Sequence, residues 1–194
     1  MPESPSWEER RITNALTNQP VIDGPSFFIN QGRAFTVSDR IANVGNGDSI
    51  YVFIDNPSDS GFDYDVVLNP RAAGEADINV SFGASAGNTG TEVTAHNLKS
   101  GSSRTFSGTV EESDETNDTG TFPSHGTTII QDFLPGGTQG VKVGPSAIGS
   151  VTLTIDEGSN KLFELVNQSG GGAKLAINIV IYEVDGTWKA VNGG

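Results

Sequence analysis

The chain has 194 residues, of which 35% are apolar and 25 are glycine, a composition that suits one lean-cored domain with arms and not a string of domains. Its 24 acidic and 11 basic residues give a net charge of −13. That charge argues against a nucleic-acid surface, where Lys and Arg must neutralise phosphates, and against adhesion to an anionic membrane, while the lack of cysteine excludes disulfides, thiolate metal sites and Cys nucleophiles.

The opening MPESPSWEERR has no apolar core of the kind a secretory signal needs, and no apolar run approaches the ~20 residues that span a bilayer. Residues 1–6, rich in Pro and Ser, read as an arm. Trp7 to Leu16 is the helix candidate: Ser6 can cap it, Glu8 and Glu9 suit its first turn, and Pro20 closes the region. Trp7, Arg10, Arg11 and Asn14 share one face at helical spacing, and a cationic, aromatic face on an otherwise acidic chain is a candidate subunit or capsid contact. The expected division is an N-terminal arm or helix over 1–22, a β-sandwich over 23–186 and a C-terminal tail over 187–194, with Trp188 as a second contact residue.

Strand signals then follow one another. Ser26–Asn30 and Arg33–Val37 flank Gln31-Gly32. Ser49–Asp55 follows the turn cluster Asn43–Asp48 and is closed by Asn56-Pro57. Tyr64–Asn69 is closed by Pro70, and Ala76–Phe82 alternates with Ile78, Val80 and Phe82 inward. Glu92–Leu98, Arg104–Val110, Thr127–Leu134, a short piece at Gly140–Val143, and Ser150–Ile155 continue the series. Near the end, Lys161–Asn167 and Lys174–Val184 are the longest apolar runs. In the second, Leu175, Ile177, Ile179 and Ile181 fall on alternate residues, and the Gly-rich connector Gln168–Ala173 reads as a β-hairpin loop. Strands are not interleaved with helices, so the expected fold is all-β: an antiparallel sandwich, in its jelly-roll form, with a short N-terminal helix or arm.

No motif selects a catalytic group, and a non-enzymatic role is expected. His96 and His125 lack the local spacing of any zinc motif. A Gly-x-Ser-x-Gly elbow does not occur, nothing singles out a carboxylate pair, and the Gly-rich pieces lack the ending of a phosphate loop. Glu111 to Gly120 reads as a solvated acidic loop. Glu111, Glu112, Asp114, Glu115 and Asp118 are oxygen donors of the type that Ca²⁺ or Mg²⁺ takes, although their spacing is not that of an EF-hand. Asn79, Asn117 and Asn167 head glycosylation sequons, and Asn117 is the one expected to be exposed. Acid excess with few lysines fits work in molar salt, where the Debye length shrinks to about 3 Å and self-repulsion is screened.

Arg10-Arg11-Ile12, the loop Gly90-Thr91 before Glu92–Asn97, Gly126-Thr127-Thr128 before Ile129, and the ending from Leu162 through Asn167-Gln168-Ser169-Gly170 together resemble small β-sandwich head-decoration, fibre or turret proteins of tailed viruses. The acidity and the Glu111–Asp118 segment depart from that pattern and point to a virus of a salt-loving archaeon. The resemblance implies a homo-oligomer on a capsid surface, in contact with other capsid proteins and with a role toward a host glycan or protein. It implies assembly in the host cytoplasm and no catalytic residues. Two alternatives fit the same residues: a single jelly-roll major capsid protein of an icosahedral haloarchaeal virus, and a carbohydrate-binding β-sandwich module.

Overall fold

The structure is a computed structural model and describes residues 24–85, 90–116, 125–135 and 152–185. The expected helix at Trp7–Leu16, the piece at Gly140–Val143 and the C-terminal tail lie outside these residues. Among the described residues there is one helix, α1 (Gly24–Gln31), and eleven strands: β1 (Ala34–Val44), β2 (Ser49–Asp55), β3 (Asp63–Ala72), β4 (Ala76–Phe82), β5 (Thr91–Glu92), β6 (His96–Asn97), β7 (Thr109–Asp114), β8 (Thr127–Leu134), β9 (Thr152–Ile155), β10 (Asn160–Asn167) and β11 (Ala173–Val184). They form two antiparallel sheets, ordered β6-β1-β11-β3-β9 and β5-β7-β2-β10-β4-β8. No helix among the described residues is long and apolar enough to cross a membrane.

The pairings are nested. Setting aside β5 to β7, the first strand pairs with the last (β1·β11), the second with the next-to-last (β2·β10), then β3 with β9 and β4 with β8. One long antiparallel ribbon is thus wound around the core, and its successive strands alternate between the two sheets. This is the eight-stranded jelly roll, in which double-sheet closure shortens most exposed edges. β5, β6 and β7 are an insertion between β4 and β8. β7 extends the six-stranded sheet beyond β2, while β5 and β6 cap one flank of the sandwich.

The winding corrects the expected C-terminal hairpin. β10 and β11 do not pair with each other. Each lies inside a different sheet, β10 between β2 and β4 and β11 between β1 and β3, so Gln168–Gly172 carries the chain across the sandwich. The two runs are the most apolar because each is flanked on both sides and packed beneath the other sheet. Leu175, Ile177, Ile179 and Ile181 face the core, as their alternation requires, together with Ile50, Val52, Ile54, Ile78, Val80, Phe163 and Leu165.

Further expectations change. Arg104–Val110 is not one strand: only Thr109 and Val110 are, at the start of β7, and Arg104–Gly108 is irregular chain. Ser26–Asn30 is helical, within α1. Pro25 at its start and Gly32 (φ 69°) just past its end are helix signals, and Gly32 N donating to Ile29 O (2.9 Å) and Arg33 N to Phe28 O (2.8 Å) complete a Schellman C-cap. Phe28 then packs on Ala34 and Val184. Pro70 does not close β3 but lies inside it. There it stands opposite Ile177 of β11. Glu92–Leu98 is not one strand: it bridges to β7 at Glu92 and to β1 at His96, crossing from one sheet to the other.

Two buried asparagines fasten the ends of the roll. Asn56, after β2, donates from Nδ2 to Phe62 O and Ile155 O. Asn167, at the end of β10, donates from Nδ2 to the carbonyls of Val44 (2.8 Å), Gly45 (3.0 Å) and Gly171 (2.7 Å), and its Oδ1 accepts Ser169 N. A sequon asparagine in that position is a structural part of the crossing.

Candidate functional site

The insertion shapes a cleft among the described residues. Residues 92–97 and 102–110 run beside each other over the capped flank and enclose a cavity of about 400 Å³. Glu92, His96, Asn97 and Arg104 contribute polar groups, and Phe106 and Val110 an apolar floor. Gly108 permits the close approach, since a Cβ there would lie 2.8 Å from the Tyr64 ring. Phe106 stacks at a tilt on Phe35 and Tyr64, which ties the insertion to the core.

One wall of this cleft holds a half-buried ion pair. Glu183, fully buried on β11, accepts Arg104 Nε (3.0 Å) and Nη2 (2.6 Å) at Oε2, and the backbone N (2.9 Å) and Oγ (2.7 Å) of Ser107 at Oε1. Four donors satisfy one carboxylate. The guanidinium also lies 5.1 Å from the Phe62 ring centroid, with Arg33 5.2 Å away from the same ring. Arg104 is therefore committed to holding the insertion down, which leaves His96 and Glu92 as exposed groups at the rim.

A second polar cluster occupies the face of the six-stranded sheet that is turned away from the core. Glu164, mid-strand on β10 and buried, accepts Ser49 Oγ (3.1 Å) and Asn79 Nδ2 (2.8 Å), and His125 Nδ1 stands 4.0 Å from its Oε2. Ser49 also donates its backbone N to Glu115 Oε2, and Tyr51 donates its hydroxyl to Glu115 Oε1 at 2.8 Å. Burial, partly offset by the Ser49 hydrogen bond and reinforced by Glu115 and Glu164, pushes the Tyr51 hydroxyl well above its usual range, so it is a permanent donor. The ring of His125 meets the Tyr51 ring edge-on at 5.5 Å. The carboxylates here are acceptors already filled by the chain's own donors; the cluster sets His125 against the sheet and ties the end of β7 to β2.

The acidic stretch is not a loop over its first half. Glu111, Glu112 and Asp114 belong to strand β7, and Glu115 directly follows it. Alternation sends Glu112 and Asp114 toward the sandwich interior and Glu111, with Glu115, to the other face. Among the described residues no three carboxylates or histidines come together as a metal-ligating group. Asp118 lies outside the described residues, as do Trp7, Arg10, Arg11 and Trp188.

Inward Glu112 faces Asp39, a buried residue on β1. Burial, opposed by a backbone hydrogen bond at Arg40 and reinforced by Asp114, raises the Asp39 carboxyl to about 6; burial and the Asp39 charge raise Glu112 to about 7. The residues that organise these places, Glu164, Glu183 and Arg104, were not marked out by any motif. Glu164 and Glu183 had a signal, a lone acid inside an apolar run, in KLFELVN and in IVIYEV, since a carboxylate so placed must find donors, while Arg104 had none.

No family model matches the chain, and neither the curated proteins nor the solved structures contain a significant match to it.

Proposed function

We propose that the chain is a virion structural protein, a jelly-roll block that oligomerises on a capsid surface as a decoration or turret and acts mechanically, not as an enzyme. The observation that carries this reading is the nested ribbon β1·β11, β2·β10, β3·β9, β4·β8, because the jelly roll is an architecture used for viral shells. The buried charged groups support it: Glu183 with Arg104, and Glu164 with Ser49 and Asn79, brace strands and insertion into a stiff unit. A net charge of −13 suits assembly in molar salt, where like-charged copies approach one another. Trp7, Arg10, Arg11 and Trp188 are the proposed contacts with neighbours. Light scattering and native mass in molar KCl test the proposal: a closed homo-oligomer is expected, and a monomer at micromolar concentration overturns it. Deleting residues 1–16 should weaken assembly, and unchanged assembly removes the arm from the proposal.

The cleft favours one second reading. A polar cavity with an aromatic floor at Phe106 suits a sugar, as in a carbohydrate-binding module. A glycan array with and without Ca²⁺ separates the two, since specific binding lost on substituting His96 and Asn97 would support the module.

A further inference from the structure

The two sheets end, among the described residues, in four edge strands. β5 and β6 have two residues each and β9 has four, whereas β8 runs for eight and is paired only on its β4 side. A long edge with free N–H and C=O groups is a template for another strand unless the chain blunts it; on β8 the Phe133 N–H is held by Asp132 Oδ1 (2.8 Å), a single local contact that a partner strand must displace. β8 also exposes apolar side chains: Ile129 is 44% and Phe133 50% exposed. Its sequence, TTIIQDFL, holds one charged residue, Asp132, in a chain of net charge −13.

We propose that β8 is a homodimer interface, pairing antiparallel with β8 of a second copy about a twofold axis. A second copy is the occupant that the charge favours. A cationic partner would need a row of acids, and β8 offers a single one; for two acidic copies it is instead the long edge on which repulsion is least. Symmetry then sets the register. A twofold axis perpendicular to the sheet must place one residue opposite itself, because hydrogen-bonded and non-hydrogen-bonded pairs cannot exchange. Centring on Gln131 places Ile129 of each copy opposite Phe133 of the other and Asp132 opposite Ile130, so the exposed apolar residues meet and no like charges do. The β-bulge between Val80 and Ser81, where β8 carries its extra residue at Ile129, falls at the outer end of the paired segment in both copies and ends the pairing there. The six-stranded sheets become one continuous sheet across the dimer.

This interface rests on the reading of the chain as a self-assembling protein, and the test separates the two. The chain has no cysteine, so Gln131→Cys introduces a unique thiol. Across an antiparallel pair the Cα atoms of opposed residues lie about 4.5–5.5 Å apart, within disulfide reach. Under mild oxidation in molar KCl the Gln131→Cys protein should convert to a covalent dimer, whereas Thr154→Cys, exposed on β9, should not. In the cysteine-free protein, Ile129→Lys and Phe133→Lys, both at exposed positions, should weaken dimerisation roughly tenfold or more while the chain keeps its β-sheet circular dichroism and unfolds cooperatively, with a thermal midpoint lowered only by what the lost dimer contributed. A wild-type monomer overturns both the interface and the self-assembly reading. An oligomer that survives both lysine variants, with Gln131→Cys no more cross-linked than Thr154→Cys, overturns the interface alone.

Discussion

Arg104 and Glu183 meet across the boundary between insertion and core, with Arg104 Nη2 2.6 Å from Glu183 Oε2. The pair is lopsided: the glutamate side chain is 0% exposed and the arginine 35%. Removing the arginine strands a buried carboxylate with only Ser107 as donor, while removing the glutamate's charge leaves a cation that water can reach. Arg104→Ala should therefore destabilise by about 3–5 kcal/mol, and Glu183→Gln by only about 1.5–3 kcal/mol. Urea unfolding measures both. Equal costs would mean that the pair is solvated. Arg104→Met combined with Glu183→Leu should recover most of the loss, because an apolar pair has no charge to desolvate.

Asn167 carries a different load. Its single amide nitrogen serves carbonyls from the β1–β2 turn and from the β10–β11 crossing, so it joins the two ends of the wound ribbon. Asn167→Ala should cost about 2–3 kcal/mol by leaving buried carbonyls without donors. Asn167→Asp should cost more, since it sets an oxygen against three carbonyls. A thermal midpoint for the Asp variant at or above that of the Ala variant would contradict this account.

Much of the ribbon was legible because period-two alternation is local. Ser49–Asp55, Ala76–Phe82 and Thr127–Leu134 were read with the bounds the structure gives. The all-β sandwich followed from their company. Pairing was not legible, because Lys161–Asn167 and Lys174–Val184 look the same to a local reading whether they pair or stack face to face. Only the requirement that both be flanked on two sides separates the cases. Ser26–Asn30 misled because Phe27, Phe28 and Ile29 favour strands; the Schellman cap at Gly32 decided for helix. Phe82, expected inward, lies past the end of the core and is 47% exposed. The polar clusters were the least legible. Arg104 lies far from Glu183 in sequence, and His125 likewise from Glu164, and nothing in the local pattern of either stretch names its partner.

Asp39 and Glu112 make stability depend on pH in the direction opposite to ordinary acid denaturation. Both carboxyls are raised in the folded protein, to about 6 and about 7, chiefly by burial. Between their unfolded values, 3.8 and 4.5, and these folded values the native state binds more protons than the unfolded chain. Stability from this pair is then fully present below the unfolded values and is lost as pH rises through about 6 to 7. The protein should unfold at lower urea at pH 8 than at pH 5. Asp39→Asn should raise the midpoint most at pH 8, roughly half as much at pH 5, where the unfolded Asp39 is already ionised, and hardly at all below its unfolded value of 3.8, flattening the profile between. A profile that instead rises toward pH 8, in the wild type and the variant alike, would show that the two carboxyls are solvated.

Salt should act on a second acidic contact. Glu92 and Glu111 stand directly opposite each other in the β5–β7 ladder, and burial, then Glu92, then Asp55 raise the Glu111 carboxyl. Like charges at opposed positions destabilise a strand pair, whereas an opposite pair contributes about 0.2–1 kcal/mol. Glu92→Lys should therefore stabilise the protein by about 1 kcal/mol at low ionic strength, both by removing the repulsion and by giving Glu111 Oε2, buried without a hydrogen-bond partner, a cation nearby. In molar KCl, with a Debye length of about 3 Å, the gain should shrink toward zero for the exposed part of the pair. The wild-type protein should gain stability over the same salt range, because its net charge of −13 is screened. Urea unfolding of both proteins at low salt and in molar KCl gives four midpoints. The expected outcome is a difference between the proteins that narrows as salt rises; a difference that stays constant would assign the effect of Glu92 to packing in the flank and not to charge.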